Sequence, residues 1–263
     1  MERSLWTAAT GMNAQQFHLD VIANNLANVN TMGYKRDRAQ FEDLLYTTLR
    51  LPGTPIAGGG KIPTGVQVGH GVKVAGTQKI QLEGSLEETK NPLDVAIEGP
   101  GFFQVLLPNG ETGYTRDGTF SKDSEGKMIN ANGYILQPEI TIPEDATNIS
   151  ITEDGTVFAI MGGDMKTPEE IGKIELARFV NPAGLSAWGK NILKETGASG
   201  EPLTGAPGEG GFGRISQGFV EMSNVNVVEE MVNMIVAQRA YEFSSKAIQT
   251  ADSMLGVVTT LKR

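Results

Sequence analysis

Apolar residues near the N-terminus recur at alternating steps of three and four positions, the spacing of a helix with one apolar stripe. The stripe has one polar member, Gln15, and its apolar members are Leu5, Ala8, Met12, Leu19, Ile22, Leu26 and Val29. These positions match the a and d columns of about four heptads. The pattern predicts an N-terminal helix with a seam for packing against other helices.

The C-terminal segment repeats this pattern more strongly. Asn226, with Glu229 three residues later, matches a capping box, which marks the start of a helix. Apolar residues then recur every seven positions, at Val227, Met234, Tyr241, Ile248 and Leu255, and a second column three positions on holds Ala237, Ser244, Ala251 and Val258. The pattern predicts a second seam, on a helix of about 35 residues.

Turn signals dominate the sequence between these ends. They are Asn109-Gly110, Asp117-Gly118, Glu125-Gly126, Asn132-Gly133 and Asp154-Gly155, and they separate short apolar runs. Strands at this spacing are typical of antiparallel hairpins. We therefore predict an α+β protein: a terminal helical domain of residues 1–34 and 223–263, an extended connecting segment of residues 35–75, and a β-rich domain of residues 76–222.

Residues 51–71 form a distinct stretch punctuated by proline and glycine. Proline forbids a regular helix there and glycine interrupts any long strand. The residues that mark the stretch are Pro52, Gly53, Pro63, Gly65, Gly69 and Gly71. Composition alone leaves a flexible linker and an ordered segment equally open.

The polar face of the N-terminal helix carries amides in place of charges. Between Arg3 and Lys35 there is no Lys or Arg, and the single acid is Asp20. Amides can be buried with less desolvation than ions, and a lone helix of this length is marginal in water. The pattern favours a helix packed on several sides by other subunits, although an amide-rich helix in an ordinary monomer is the alternative.

The composition excludes several classes of function. The net charge is −9, and Lys and Arg are scattered singly, so neither a nucleic-acid surface nor an anionic-membrane surface can be identified. No apolar run approaches the roughly 18 residues that cross a bilayer, and the N-terminal sequence lacks the apolar core of a signal peptide. Cysteine is absent, which rules out disulfides and thiolate metal sites.

Candidate catalytic and ligand-binding motifs are weak. His18 and His70 lie in different segments without metal-ligand spacing. Residues 208–213 match G-x-G-x-x-G, but they precede a predicted strand, not a helix. Asp123 begins no EF-hand loop, because its twelfth position would be Tyr134. We expect no catalytic, cofactor or metal site. An enzyme acting on peptidoglycan is the alternative from another class.

Three sets of residues resemble the flagellar rod and hook family of axial proteins. The N-terminal set is residues 22–28 with 31–36, the C-terminal set is residues 223–235 with 238–242 and 245–247, and the middle set is residues 94–103 with 114–118. The terminal motifs contain Asn24, Asn25, Asn28, Gly33, Asn224, Asn226, Gln238, Arg239 and Tyr241. Residues 41–46 and the stretch that follows, to position 71, are similar to the distal rod subtype, with a proximal rod or hook-type subunit as the alternative.

The resemblance implies a structural subunit with no cofactor. Such a subunit assembles with itself into a rigid helical tube, which transmits torque from the motor to the hook. The terminal helices would pair as a coiled coil around an export channel, and residues 51–71 would stiffen the tube. The implied partners are the proximal rod, the hook, the ring bushings and the flagellar type III export apparatus. The implied location is the periplasmic part of the basal body, reached without a cleaved signal peptide or membrane insertion.

Overall fold

The structure, a computed structural model, describes residues 2–53, 63–161 and 168–261. The chain divides into two compact units. The first, here the helical unit, comprises Met1–Leu26, Asp37–Gln78 and Asn226–Arg263, and the second, here the β unit, comprises Ala27–Arg36 and Lys79–Val225. The predicted connecting segment thus lies largely in the helical unit, where it contains strands.

Two long helices confirm the helical part of the α+β prediction. Helix α1 spans Glu2–Ala27 and helix α2 spans Val227–Leu261, which is 35 residues. Asn226 caps α2, because its Oδ1 accepts hydrogen bonds from the backbone N–H groups of Val228 (3.1 Å) and Glu229 (3.4 Å). Within the described ranges, neither helix is long and apolar enough to cross a membrane.

The helical unit also contains two small sheets. Strand β1 (Asp37–Asp43) pairs with β4 (Val72–Lys79), and β2 (Tyr46–Arg50) pairs antiparallel with β3 (Val66–Gly69). In the second pair Thr47 lies opposite Val68. Two-stranded ribbons are marginally stable alone, so they depend on what packs against them.

The β unit is built from antiparallel strands. Its largest sheet has the order β16-β17-β8-β7-β11-β10-β9, with β15 joining both β7 and β18. Three smaller sheets have the orders β12-β13-β14, β19-β6 and β20-β5. The bounds are β5 Leu86–Glu88, β6 Val95–Glu98, β7 Phe102–Leu106, β8 Thr112–Thr115, β9 Phe120–Lys122, β10 Met128–Asn130, β11 Ile135–Gln137, β12 Ala146–Ile151, β13 Thr156–Met161, β14 Glu169–Lys173, β15 Leu176–Arg178, β16 Ser186–Gly189, β17 Ile192–Lys194, β18 Leu203–Gly205, β19 Arg214–Gln217 and β20 Phe219–Glu221.

Most predicted turns connect paired strands. Asn109-Gly110 joins β7 to β8, and Asn132-Gly133 joins β10 to β11. Asp117-Gly118 differs, because it lies between β8 and β9, which are not neighbours in the sheet. A Cβ atom on Gly118 would lie 1.6 Å from the carbonyl oxygen of Val95. Glycine is needed at position 118 because the backbone of Val95 passes too close for any side chain. Asp117-Gly118, a dipeptide typical of hairpin turns, therefore has a different role here and allows two backbone segments to pack together.

One apolar core organises the β unit. Phe103 and Phe120 meet edge to face, with their ring centroids 5.2 Å apart, and both are fully buried among aliphatic side chains from most of the strands. A core of this size supports independent folding of a domain.

Candidate functional site

The two helices contact each other along a column of α2 residues spaced by seven. Asn25 Nδ2 lies 3.1 Å from Glu230 Oε2, and a Cβ atom on Gly11 would lie 3.5 Å from Ser244 Oγ. Positions 11 and 25 of α1 are 14 residues apart, and so are their partners on α2, positions 244 and 230. Because the partner numbers fall as the α1 numbers rise, the two helices run antiparallel. The column, here the inner column, consists of Glu230, Ala237, Ser244 and Ala251. Three of its four members are buried.

A polar node lies within this contact. The Asn25 carboxamide donates to the carbonyl oxygen of Asp37 (2.8 Å) and to Glu230, and its Oδ1 accepts from the Asp37 N–H (2.9 Å). Asn25 is 1% exposed and Glu230 is 2% exposed. The node joins α1, the first residue of β1 and the first turn of α2.

Apolar side chains of α2 outside the inner column are exposed to solvent. Successive helical residues turn by about 100°, so Val228, Val232 and Ile235 lie across the helix axis from the inner column. The name outer stripe is used here for these three residues together with those at the sides of the helix: Met231, Val236, Phe243 and Val257. Val228 is 70% exposed and Phe243 is 68% exposed. An exposed apolar surface of this extent is typical of a protein interface.

The predicted seam residues divide into three groups by exposure. Ile22 is buried, and Val227 and Tyr241 are exposed. The rest are half-buried: Leu5, Met12, Leu19, Leu26, Val29, Met234, Ile248 and Leu255. Their role in assembly remains a prediction. Heptad spacing does not predict the outer stripe, although Val228, Val232 and Val236 at intervals of four are a sign in the sequence that α2 is apolar on more than one side.

The hairpin of β2 and β3 is a second exposed apolar feature. Leu45, Leu49 and Leu51 project large side chains into solvent, and Leu45 is 87% exposed. Gly71, at the end of the proline- and glycine-punctuated stretch, has φ +110°, and a Cβ atom there would lie 2.1 Å from Thr10 Oγ1. Its glycine therefore allows the chain to pass close to α1. Residues 54–62 of the stretch lie outside the described residues.

The two predicted histidines make local contacts in the helical unit. The His18 ring meets the Phe41 ring edge to face at 5.9 Å, and His70 Nε2 lies 2.6 Å from Thr47 Oγ1. The G-x-G-x-x-G match at residues 208–213 lies between strands β18 and β19. Among the residues with assigned positions, no three His, Asp or Glu side chains form a cluster that could hold a metal.

Comparison with known proteins places these features in one family. Three family profiles match: "Flagella basal body rod protein" at residues 5–35, "Flagellar hook protein FlgE/F/G D1 domain" at residues 96–159, and "Flagellar basal body rod FlgEFG protein C-terminal" at residues 216–261. The flagellar basal-body rod protein FlgG of Borreliella burgdorferi is 53% identical over the full length of both chains. This chain belongs to the flagellar basal-body rod protein family.

Other FlgG proteins match over nearly their whole length as well. That of Caulobacter vibrioides is 48% identical over 99% of both chains, and that of Bacillus subtilis is 38% identical over 100% of both. The likeness confirms a rod protein of the distal rod type, which is a structural subunit. None of the matching families is catalytic.

The terminal motifs of this rod protein hold the chain where it enters and leaves the β unit. Gly33 donates its N–H to the carbonyl oxygen of Glu221 (2.8 Å). Asn224 accepts from the Arg36 N–H (2.8 Å) and donates to the carbonyl oxygens of Ile80 and Leu82. Asn28 accepts a hydrogen bond from the Thr31 hydroxyl, whereas Asn24, Gln238, Arg239 and Tyr241 are exposed.

A buried charge cluster reinforces these connections. Glu221 is paired with Lys35 and, at 3.3 Å, with Arg116, and all three side chains are buried. Lys35 also donates to the carbonyl oxygen of Leu82 (2.7 Å), and Gly84 N–H donates to Glu221 (3.0 Å). Burial lowers the pKa of Lys35, and the Glu221 carboxylate opposes that shift. The resemblance marked the segments that hold Lys35 and Arg116, but periodicity gave no sign that they meet Glu221.

Proposed function

We propose that this rod protein assembles head-to-tail with copies of itself into a rigid helical tube, which acts as a drive shaft between motor and hook. A heterologous contact of this kind propagates without closing. The outer stripe of α2 carries the proposal, because its large apolar side chains are exposed and lie outside the column that contacts α1. Its occupant is then a second copy.

The distribution of charge supports contact through the helical unit. The helical unit contains nine basic residues (Lys and Arg) and nine acidic residues (Asp and Glu). The β unit contains 13 basic and 22 acidic residues. The whole net charge of −9 therefore belongs to the β unit. Copies can bring neutral helical units together without the repulsion that would oppose contact between β units.

The antiparallel contact between α1 and α2 supports a coiled-coil inner layer around an export channel, with the exposed seam residues Val227 and Tyr241 facing neighbouring copies. The proposed partners are further copies, the proximal rod, the hook, the ring bushings and the type III export apparatus. The proposed location is the periplasmic rod, reached without a cleaved signal peptide. Family profiles shared by rod and hook proteins support contacts among such subunits.

The outer stripe is tested by placing charges in it. Val232→Asp combined with Ile235→Asp should reduce the sedimentable polymer at least about tenfold, because two buried aliphatic contacts together contribute roughly 3–6 kcal/mol. The measurement is ultracentrifugation with electron microscopy of the pellet. Gln238→Glu, an exposed polar position on the same helix, is the matched control. Normal tubes from the double variant would show that the stripe is not a subunit contact.

Residues 51–71 are proposed to stiffen the tube against neighbouring copies. The large apolar side chains at and beside strand β2, of which Leu45 and Leu49 are more than half exposed, support this role, since exposed apolar side chains in a group are typical of a protein contact. Deleting the stretch should leave the β unit folded and give tubes with a shorter persistence length in electron micrographs. Tubes as straight as those of the unaltered chain would contradict the role.

A further inference from the structure

We propose that Asn25, Asp37 and Glu230 form a register clamp, which decides which turn of α2 faces which turn of α1. The inference rests on the proposed use of the helical unit in assembly. It assigns a positioning role to a polar node that heptad periodicity did not identify. The clamp would make every copy in a tube present the outer stripe at the same height.

The geometry of Asn25 suits this role because both ends of its carboxamide are used. Oδ1 accepts from the Asp37 N–H at 2.9 Å while Nδ2 donates to the Asp37 carbonyl at 2.8 Å. This is the pattern with which one backbone segment pairs with another. The remaining Nδ2 hydrogen points to Glu230 Oε2 at 3.1 Å. Neither leucine nor aspartate can supply this combination of one acceptor and two donors.

The contact of Gly11 with the inner column discriminates poorly between registers. Position 11 faces position 244, and the inner column repeats every seven residues. A slide of seven residues, about 10 Å along the helix, would place Gly11 opposite Ala237 or Ala251, which are small side chains again. Packing at Gly11 is therefore nearly the same in three registers. The polar node exists in one of them.

Losing the node is unfavourable because Asn25 and Glu230 are buried. In a shifted register Glu230 would lose the hydrogen bond from Asn25, and the Asp37 peptide would lose its two hydrogen bonds to Asn25. Breaking a hydrogen bond of a buried polar group is costly. This is how a single polar residue in an apolar helix seam sets alignment.

The absence of cysteine makes the register measurable by cross-linking. Gly11→Cys is combined in turn with Ser244→Cys, Ala237→Cys or Ala251→Cys in the full-length chain assembled into tubes. Copper-phenanthroline is the oxidant, with dissolved oxygen accepting the electrons from the two thiols. With Asn25 intact, we expect the 11–244 pair to cross-link at least tenfold more than the other two, as a fast-migrating monomer on a non-reducing gel.

Variants of the node should change that preference. Asn25→Leu should bring the 11–237 or the 11–251 product within about threefold of the 11–244 product. Asn25→Asp should have a similar effect, since two carboxylates would then face each other. Adding Glu230→Gln to Asn25→Asp restores the hydrogen bond between positions 25 and 230 but not the one to the Asp37 carbonyl, so it should recover part of the preference, to between threefold and tenfold. Asn24→Leu, at the exposed neighbouring position, is the control and should leave the preference unchanged.

The outcomes separate the clamp from the proposed function. If the unaltered chain forms tubes and all node variants keep the 11–244 preference, the connections through the β unit set the register and the clamp is wrong. The clamp is also overturned if the 11–244 pair fails to cross-link in those tubes, or if the double variant behaves like Asn25→Asp. Failure of the unaltered chain to form tubes would count against the proposed function itself.

Discussion

The helical unit and the β unit use apolar residues in opposite ways. The β unit buries sixteen large apolar residues in one cluster and carries the whole net charge. In the described part of the helical unit's two helices, the buried apolar positions are Ala14, Ile22, Ala237 and Ala251, while ten larger apolar side chains of α2 are exposed. The buried cluster of the β unit is typical of a domain that folds by itself. The exposed apolar residues of α2 are typical of a surface that a partner covers, and we infer that the β unit provides folding stability while the helical unit provides contacts for assembly.

Amide hydrogen exchange provides the strongest test of this contrast. In dilute monomer, amides of α1 and α2 should exchange roughly a thousandfold faster than those of β7 and β8, because local stability follows buried apolar contact. Assembly into tubes should remove most of the difference. Helices that are fully protected in the dilute monomer would show that the helical unit needs no neighbour.

Removing Glu221 should destabilise the β unit. Glu221→Ala would leave Lys35 and Arg116 buried without their shared carboxylate, and breaking such a network destabilises a protein by about 3–5 kcal/mol. Urea unfolding followed by near-ultraviolet circular dichroism gives the free energy of unfolding. Glu201→Ala, at an exposed position of the β unit, is the control and should change it by less than about 0.5 kcal/mol.

A charge in the predicted seam of α2 should affect the helical unit alone. Ile248 is half-buried, and Ile248→Asp should weaken assembly by about 2–3 kcal/mol per subunit through unfavourable burial of a carboxylate. The critical concentration for tube formation measures this effect, and the unfolding transition of the β unit should not move. Gln249→Asp, the exposed next residue, is the matched comparison. If the Ile248→Asp variant assembles normally, Ile248 does not lie in a seam between copies.

The smallest effect is expected at the exposed ion pair of Arg239 and Glu242, which lie three positions apart on α2. Arg239 Nη1 lies 2.8 Å from Glu242 Oε2. Arg239→Ala should change the free energy of unfolding of the isolated chain by less than about 0.5 kcal/mol, since solvent screens such pairs. Thermal unfolding measures it. A larger loss would mean that the isolated helix relies on surface charge more than its composition indicates.

Structure that depends on neighbouring residues, such as helix length, caps and turns, is predicted well from the sequence. The length of α2 and its Asn226 cap follow from seven-residue spacing and a short polar motif, and both are confirmed. Several Asn-Gly and Asp-Gly turns also join paired strands as predicted. Asp117-Gly118 shows the limit, because the carbonyl oxygen of Val95 that requires its glycine comes from a strand that is distant in sequence.

Polar contacts between distant segments could not be predicted in this way. Asn25 and Glu230 are 205 residues apart, and Lys35 and Glu221 are 186 apart. Periodicity carries no information about which polar residues on two elements will meet, since that depends on register. The resemblance to axial proteins marked the segments that contain most of these residues. It did not pair them.

The antiparallel contact of α1 with α2 also imposes an order of events on biosynthesis. The ribosome makes α1 before the β unit and α2 after it, so α1 waits for its partner while the intervening sequence emerges. A chain that has not been translated beyond the β unit therefore lacks the outer stripe. The proposed contact between copies becomes available only after the core of the β unit has been synthesised.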